Sequence, residues 1–318
     1  MSINPYIQFI FASIMLVIGS NFLITNSKKI AEQFNISKFV IGVTILALGT
    51  SLPELVVSIT AVLDIPPKGV IVIGNVIGSN IANIGLVLGV LVLLNPIIIK
   101  TNYKRMKFNL LSLFIATFLL IFGLASGYLN QLSGMFLIAS FILYICCLFK
   151  YFLNDEEENI EVNNNIKYYS LIYLIIFIVF SCVLVSFGSD FFIKGTIGIS
   201  KYFGYKNNLV ISMTLVALGT SLPELATSLV AIKKGETRMA IGNIIGSNII
   251  NILLVIGISS IISDNFIFEL SDILPHLSIL LLITLVLIFI ITFYRRIGKI
   301  AGLFFIILYI LFVCINFI

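Results

Sequence analysis

The chain of 318 residues is 60% hydrophobic and only 10% charged, with a mean hydropathy of +1.17. A soluble globular protein carries roughly 25% charged residues, so this composition places the chain in a lipid bilayer. The net charge of +5 comes from lysines and arginines scattered between apolar runs, which excludes a continuous basic face for nucleic acid.

The first apolar run, 6–25, follows a start without basic residues and has no small-residue cleavage pattern, so it is read as a retained helix. The second, 38–63, contains Ala47-Leu48-Gly49-Thr50-Ser51-Leu52-Pro53-Glu54-Leu55, a polar, proline-broken stretch inside a membrane-length segment. The third, 69–94, contains Ile73-Gly74-Asn75-Val76-Ile77-Gly78-Ser79-Asn80-Ile81 and then Asn83. Runs 108–126 and 131–153 follow. The segment 154–166 holds Asp155, Glu156, Glu157, Glu158 and Glu161 among asparagines, the composition of a solvated linker.

Beyond it come runs 168–193, 208–232, 238–262, 273–294 and 299–317. The first block returns letter for letter as Ala217 to Leu225, and the second recurs as Ile241 to Ile249, with Ile244 for Val76, followed by Asn251. The expected fold is therefore an all-α, polytopic membrane protein of ten transmembrane helices in two five-helix repeats. Residues 1–153 form the first repeat, 154–166 an acidic cytoplasmic linker and 167–318 the second. Because five is odd, the second repeat enters the bilayer inverted, the common plan of secondary transporters. All but four of the 19 lysines and arginines (Lys68, Lys194, Lys201 and Lys206) then face the cytoplasm if both termini lie outside a plasma membrane.

Glu54 and Glu224 lie in mid-segment, where a bare carboxylate costs several kcal/mol. No lysine or arginine shares their depth, so metal ions or protons are the expected counter-charge. Pro53 and Pro223 lack an N–H, which should release the carbonyls of Gly49 and Gly219. Helical spacing aligns Thr44, Ala47, Ser51, Glu54 and Ser58, and likewise Thr214, Ala217, Ser221, Glu224 and Ser228. Asn75, Ser79 and Asn83, with Asn243, Ser247 and Asn251, line the facing helices. Glycines at Gly74, Gly78, Gly85, Gly89, Gly242 and Gly246 are expected to bring helices close.

Hard oxygen donors favour calcium, sodium or magnesium, and magnesium's reluctance to shed water disfavours a cage made of protein alone. Two glutamates balance one calcium ion, or two sodium ions or protons, and competition for one pocket makes an exchanger. The one histidine, His276, reads as a packing or interfacial residue. Four cysteines (Cys146, Cys147, Cys182, Cys314) without CxxC spacing complete the case against a zinc centre or a catalytic triad, so neither enzyme activity nor a resident cofactor is expected.

Both blocks resemble the alpha repeats of the calcium/cation antiporter superfamily, particularly the prokaryotic sodium/calcium exchangers, and the likeness runs through the whole chain. The resemblance implies calcium/sodium antiport by alternating access, with calcium/proton or magnesium/cation antiport as the alternative and a cation channel as a more distant one. It implies that Glu54 and Glu224 are shared central carboxylates, with oxygens from Thr50, Ala47, Thr220 and Ala217. It makes Ser79 and Ser247 flanking sodium ligands, Ser51 and Ser221 polar pocket residues, and Asn83 and Asn251 midplane amides. The chain departs from the pattern at Asn251, where many sodium/calcium exchangers carry an aspartate.

Overall fold

Hydrocarbon leaves backbone N–H and C=O groups no water to bond, so a chain this apolar must satisfy them within its own helices. The computed structural model describes residues 4–63, 69–98, 103–152, 169–202, 219–263, 265–268 and 270–315 and is nearly all helical. The expected acidic linker and Ala217 lie outside the described residues. Helices run as α1 (Pro5–Gln33), α2 (Lys38–Thr50), α3 (Leu52–Leu63), α4 (Gly69–Leu94), α5 (Tyr103–Leu124) and α6 (Gln131–Phe152). After the linker come α7 (Leu171–Tyr202), α8 (Leu222–Lys233), α9 (Thr237–Ile262), α10 (Leu270–Tyr294) and α11 (Lys299–Ile315). Seven of these are long and apolar enough to cross a membrane, and the bent pair α2/α3 makes an eighth.

The layering follows from burial. The apolar stretches of α4 and α9 are 83% buried, against 22–39% for those of the other long helices, so α4 and α9 form the centre. Around them the outer helices expose residues such as Ile10, Phe11 and Ile14 of α1 and Phe118 and Phe122 of α5, as lipid contact requires. Where α2 crosses α9 the backbones nearly touch: a Cβ added to Gly242 would lie 2.5 Å from the Phe39 carbonyl oxygen. Gly85 and Gly89 bring α4 against α11 in the same way, whereas Gly74 faces open space and packs nothing.

Helix ends follow local chemistry rather than hydropathy. The Asn4 side chain accepts from Tyr6 N at 3.0 Å and Pro5 occupies the first turn, which starts α1. The helix continues past the apolar run 6–25 through Asn26, Ser27, Lys28 and Lys29, and stops where Asn35 turns left-handed at φ 53°. Ile36 N then reaches the Ala31 carbonyl, five residues back. Gly235, at φ 75°, ends α8 with the same five-residue closure from Glu236 N to Ala231 O.

Short antiparallel strands tie the halves together. Strands β1 (Ile97–Ile98) and β4 (Arg296–Ile297) pair between the links that follow α4 and α10. Strands β2 (Tyr128–Asn130) and β3 (Asn265–Ile267) pair between the links that follow α5 and α9. The His276 ring stands edge-on to Phe312 with centroids 5.6 Å apart, a packing contact.

Candidate cation site

Proline decides where the glutamate helices break. Pro53 cannot donate to the carbonyl four residues back, and α2 ends at Thr50 before α3 restarts at Leu52 with a bend of 42°. At the hinge Ser51 adopts φ −82°, ψ 7°, and Ser221 adopts nearly the same angles ahead of α8. Glu54 and Glu224 therefore sit in the first turn beyond a break, and both are wholly buried.

Two layers of hydrogen bonds surround them. Within each half, the asparagine of the central helix holds the glutamate helix. Asn75 Nδ2 donates to the Glu54 carbonyl and to Ser58 Oγ, both at 3.1 Å, and Asn243 Nδ2 donates to Ser228 Oγ at 3.2 Å. Between halves, the threonine ahead of each break reaches the opposite central helix. Thr50 Oγ1 lies 3.2 Å from Asn243 Oδ1 and 3.3 Å from Ser247 Oγ, and Thr220 Oγ1 lies 3.5 Å from Asn75 Oδ1 and 3.0 Å from Ser79 Oγ. The two polar stripes thus interlock at one place.

Most sequence-singled residues meet here, with some changes of part. Thr44 bonds its own helix at Val40 O, and Ser58 and Ser228 hold neighbouring helices together. The Ala47 carbonyl already accepts from Ser51 N at 3.0 Å and from Thr50 Oγ1 at 3.4 Å, so a cation there would have to displace the longer of the two bonds. The Gly219 carbonyl is not free, because Ser189 of α7 donates to it. The freed carbonyl at the proline kink is a real acceptor, and a hydroxyl on a helix distant in sequence took it.

The carboxylates are under-satisfied. Within hydrogen-bond distance neither oxygen of Glu54 has a partner, nor does Glu224 Oε2, although Ser79 lies near Glu54 and Thr50 and Ser247 lie near Glu224; Ser51 Oγ donates to Glu224 Oε1 at 3.5 Å. The symmetry-related Ser221 hydroxyl has no partner, so the site departs from twofold symmetry. Asn83 and Asn251 each begin a wider π-type turn, Asn83–Leu88 and Asn251–Ile256. Both Asn83 amide atoms and Asn251 Oδ1 are buried without a partner. Desolvating such groups is costly unless a ligand compensates them. Among the described residues no group of three or more His, Cys, Asp and Glu gathers, so the negative charge of the site is that of the two glutamates.

Helical spacing overlooked Asn80 and Asn248, which sit one residue off the Asn75, Ser79, Asn83 stripe. Both are wholly buried, and both stand in the repeated Gly-Ser-Asn-Ile, so repetition rather than periodicity was the signal for them. A second charged cluster lies where α1, α2 and α9 meet. Glu236 pairs with Lys28 at 2.7 Å and Lys38 at 2.9 Å. Burial pushes the Glu236 carboxyl up, but the hydrogen bonds from Lys28 and Lys38 outweigh it and hold it below the usual range. Lys234 bonds Asn21 O and Thr25 Oγ1 of α1.

The chain resembles known proteins over nearly its whole length. Residues 4–150 and 173–318 match the family described as sodium/calcium exchanger protein. An uncharacterized membrane protein of Methanocaldococcus jannaschii, MJ0091, is 37% identical over 307 residues, 95% of each chain. The sodium/calcium exchanger MaX1 of Methanosarcina acetivorans is 32% identical, covering 85% of this chain and 88% of its own. The solved structure of the sodium-calcium exchanger NCX_Mj soaked with 10 mM Na+ and zero Ca2+ superposes with a TM-score of 0.82 at 34% identity, over 99% of both chains.

Proposed function

Since this chain belongs to the sodium/calcium exchanger family, we propose that it is an antiporter that moves calcium against sodium across the plasma membrane by alternating access. The observation that carries the reading is the pair of wholly buried glutamates, three of whose four carboxylate oxygens have no hydrogen-bond partner. A buried charge left in this state needs a cation. One calcium ion or two sodium ions neutralise the pair, and neither load leaves bare charge behind. A pocket with no load would carry two uncompensated carboxylates, which opposes reorientation without cargo and couples the two fluxes.

In this reading Glu54 and Glu224 are the shared carboxylates. Thr50, Thr220, Ala47 and Ala217 contribute hydroxyl or carbonyl oxygen, with Ser51, Ser221, Ser79, Ser247, Asn83 and Asn251 completing the shells of the two ions. The chain crosses the membrane ten times as two inverted five-helix repeats, 1–153 and 167–318, joined by the cytoplasmic linker 154–166, with both termini outside. The two strand pairings support this parity, since each joins links that ten alternating crossings would put on one face. Calcium and sodium are cargo, and no resident cofactor takes part.

The test is calcium uptake into sodium-loaded proteoliposomes. Glu54→Gln and Glu224→Gln should each abolish sodium-driven uptake while the protein still elutes as a folded species. Near-normal flux in either variant refutes the assignment.

A further inference from the structure

An asparagine that serves a cation must turn its carbonyl oxygen, not its NH2 group, toward the ion. The two ends are almost the same size, so packing alone selects poorly between them, and hydrogen bonding has to choose. Asn251 is wholly buried at the turn that follows Ser247, and its surroundings make that choice.

The choice starts from a group that cannot change part. The backbone carbonyl of Asn248 only accepts, so Asn80 of α4 must present its NH2 there, which it does at 3.1 Å. That fixes the Asn80 oxygen on the other side of its amide, where it accepts from Asn251 Nδ2 at 3.2 Å. Asn251 spends an N–H on Asn80, and its own Oδ1 is left buried with no partner. Reversing the Asn251 amide would set two carbonyl oxygens against each other.

The pseudo-symmetric arrangement is open. Asn248 donates to the Ile244 carbonyl of its own helix at 2.7 Å, its Oδ1 is unpartnered, and neither amide atom of Asn83 is bonded. One midplane amide is therefore locked across the halves and its counterpart is not.

We propose that Asn80 is a positioning residue that fixes the amide of Asn251 with its oxygen toward the bound cation. The proposal rests on the reading of Asn251 as an ion ligand given above. Asn80 itself need not touch the ion; it acts through Asn251, as outer-shell partners orient metal ligands elsewhere.

Equilibrium binding of calcium alone to the purified full-length chain tests this, with sodium as competitor and the melting temperature recorded in parallel. Asn251→Leu and Asn80→Leu should each raise the calcium dissociation constant about tenfold, the lower end for loss of an orienting partner. The double variant should bind no more weakly than Asn251→Leu alone, because Asn80 has nothing left to orient. Asn80→Asp keeps an oxygen facing Asn251 but loses the donor to the Asn248 carbonyl, so it should bind calcium more tightly than Asn80→Leu. If Asn80→Leu does not elute as a folded species, Asn80→Ala replaces it.

Equal losses in Asn80→Leu and Asn80→Asp overturn the proposal, because the acceptor oxygen would then be irrelevant. So do additive losses in the double variant, and so does parent-like binding by Asn80→Leu alongside weak binding by Asn251→Leu; each leaves the antiport reading standing. Parent-like binding by Asn251→Leu removes Asn251 from the ligand set and the proposal with it. Parent-like binding by Glu54→Gln would instead sink the antiport site.

Discussion

The charge count of the site predicts how the exchanger responds to voltage. Two carboxylates are neutralised both by one calcium ion and by two sodium ions, and Asn251 adds no charge to them. A cycle that trades two sodium ions for one calcium ion moves no net charge, so an imposed potential should leave the final calcium gradient where sodium alone sets it. The perturbation is Asn251→Asp, which adds a third negative charge and room for a third sodium ion. One net charge then crosses per cycle, and 100 mV acting on it is worth about 2.3 kcal/mol. At 1.4 kcal/mol per tenfold, that shifts the steady-state calcium ratio about 50-fold.

The assay is calcium accumulation in proteoliposomes carrying a potassium gradient, with and without valinomycin, at a fixed sodium gradient. The gradient without ionophore controls for direct effects of potassium. The parent should show the same final calcium ratio in both arms, and Asn251→Asp should separate them. A large valinomycin-dependent shift in the parent would refute the charge count, since some other group would then be carrying the extra charge.

Other predictions follow from local geometry. Ser51→Ala removes the hydrogen bond to Glu224 and should weaken calcium binding about threefold, the modest value of one long bond, while Ser221→Ala should change it less; equal effects in titrations would contradict the asymmetry of the site. Gly242→Ala puts a methyl group 2.5 Å from the Phe39 carbonyl oxygen and should cost about 1–3 kcal/mol, seen as a lower melting temperature. Glu236→Gln should cost about 1 kcal/mol at neutral pH, since its partners Lys28 and Lys38 are partly exposed. Because the folded Glu236 carboxyl titrates below its unfolded value, its contribution is complete above the unfolded value and disappears as pH falls through the folded one. Parent and variant melting temperatures should therefore differ at pH 7 and converge in acid.

The parts of this molecule that sequence made legible are those carried by repetition. The repeated blocks marked the interruptions at Pro53 and Pro223 and both glutamates; the structure sets the breaks two residues earlier, at Ser51 and Ser221. Reading one helical face found Asn75, Ser79 and Asn83 but skipped Asn80, because a residue reaching sideways to the other half does not obey the spacing of its own helix. The bond from Ser189 to the Gly219 carbonyl was likewise invisible, since it joins groups on separate helices and Ser189 lies outside both motifs. Paired strands of two or three residues have no periodicity to detect. Helix α1 outran its apolar segment because left-handed closure at Asn35, not loss of hydropathy, ends it.

The crossed threonines bear on how such a molecule could have originated. Thr50 finds its polar neighbours on α9 and Thr220 finds its own on α4, so each repeat supplies the polar partners of the other. A progenitor encoding a single unit could not have assembled these contacts within one polypeptide; it would have needed two copies side by side, of opposite membrane orientation on the inverted plan proposed above.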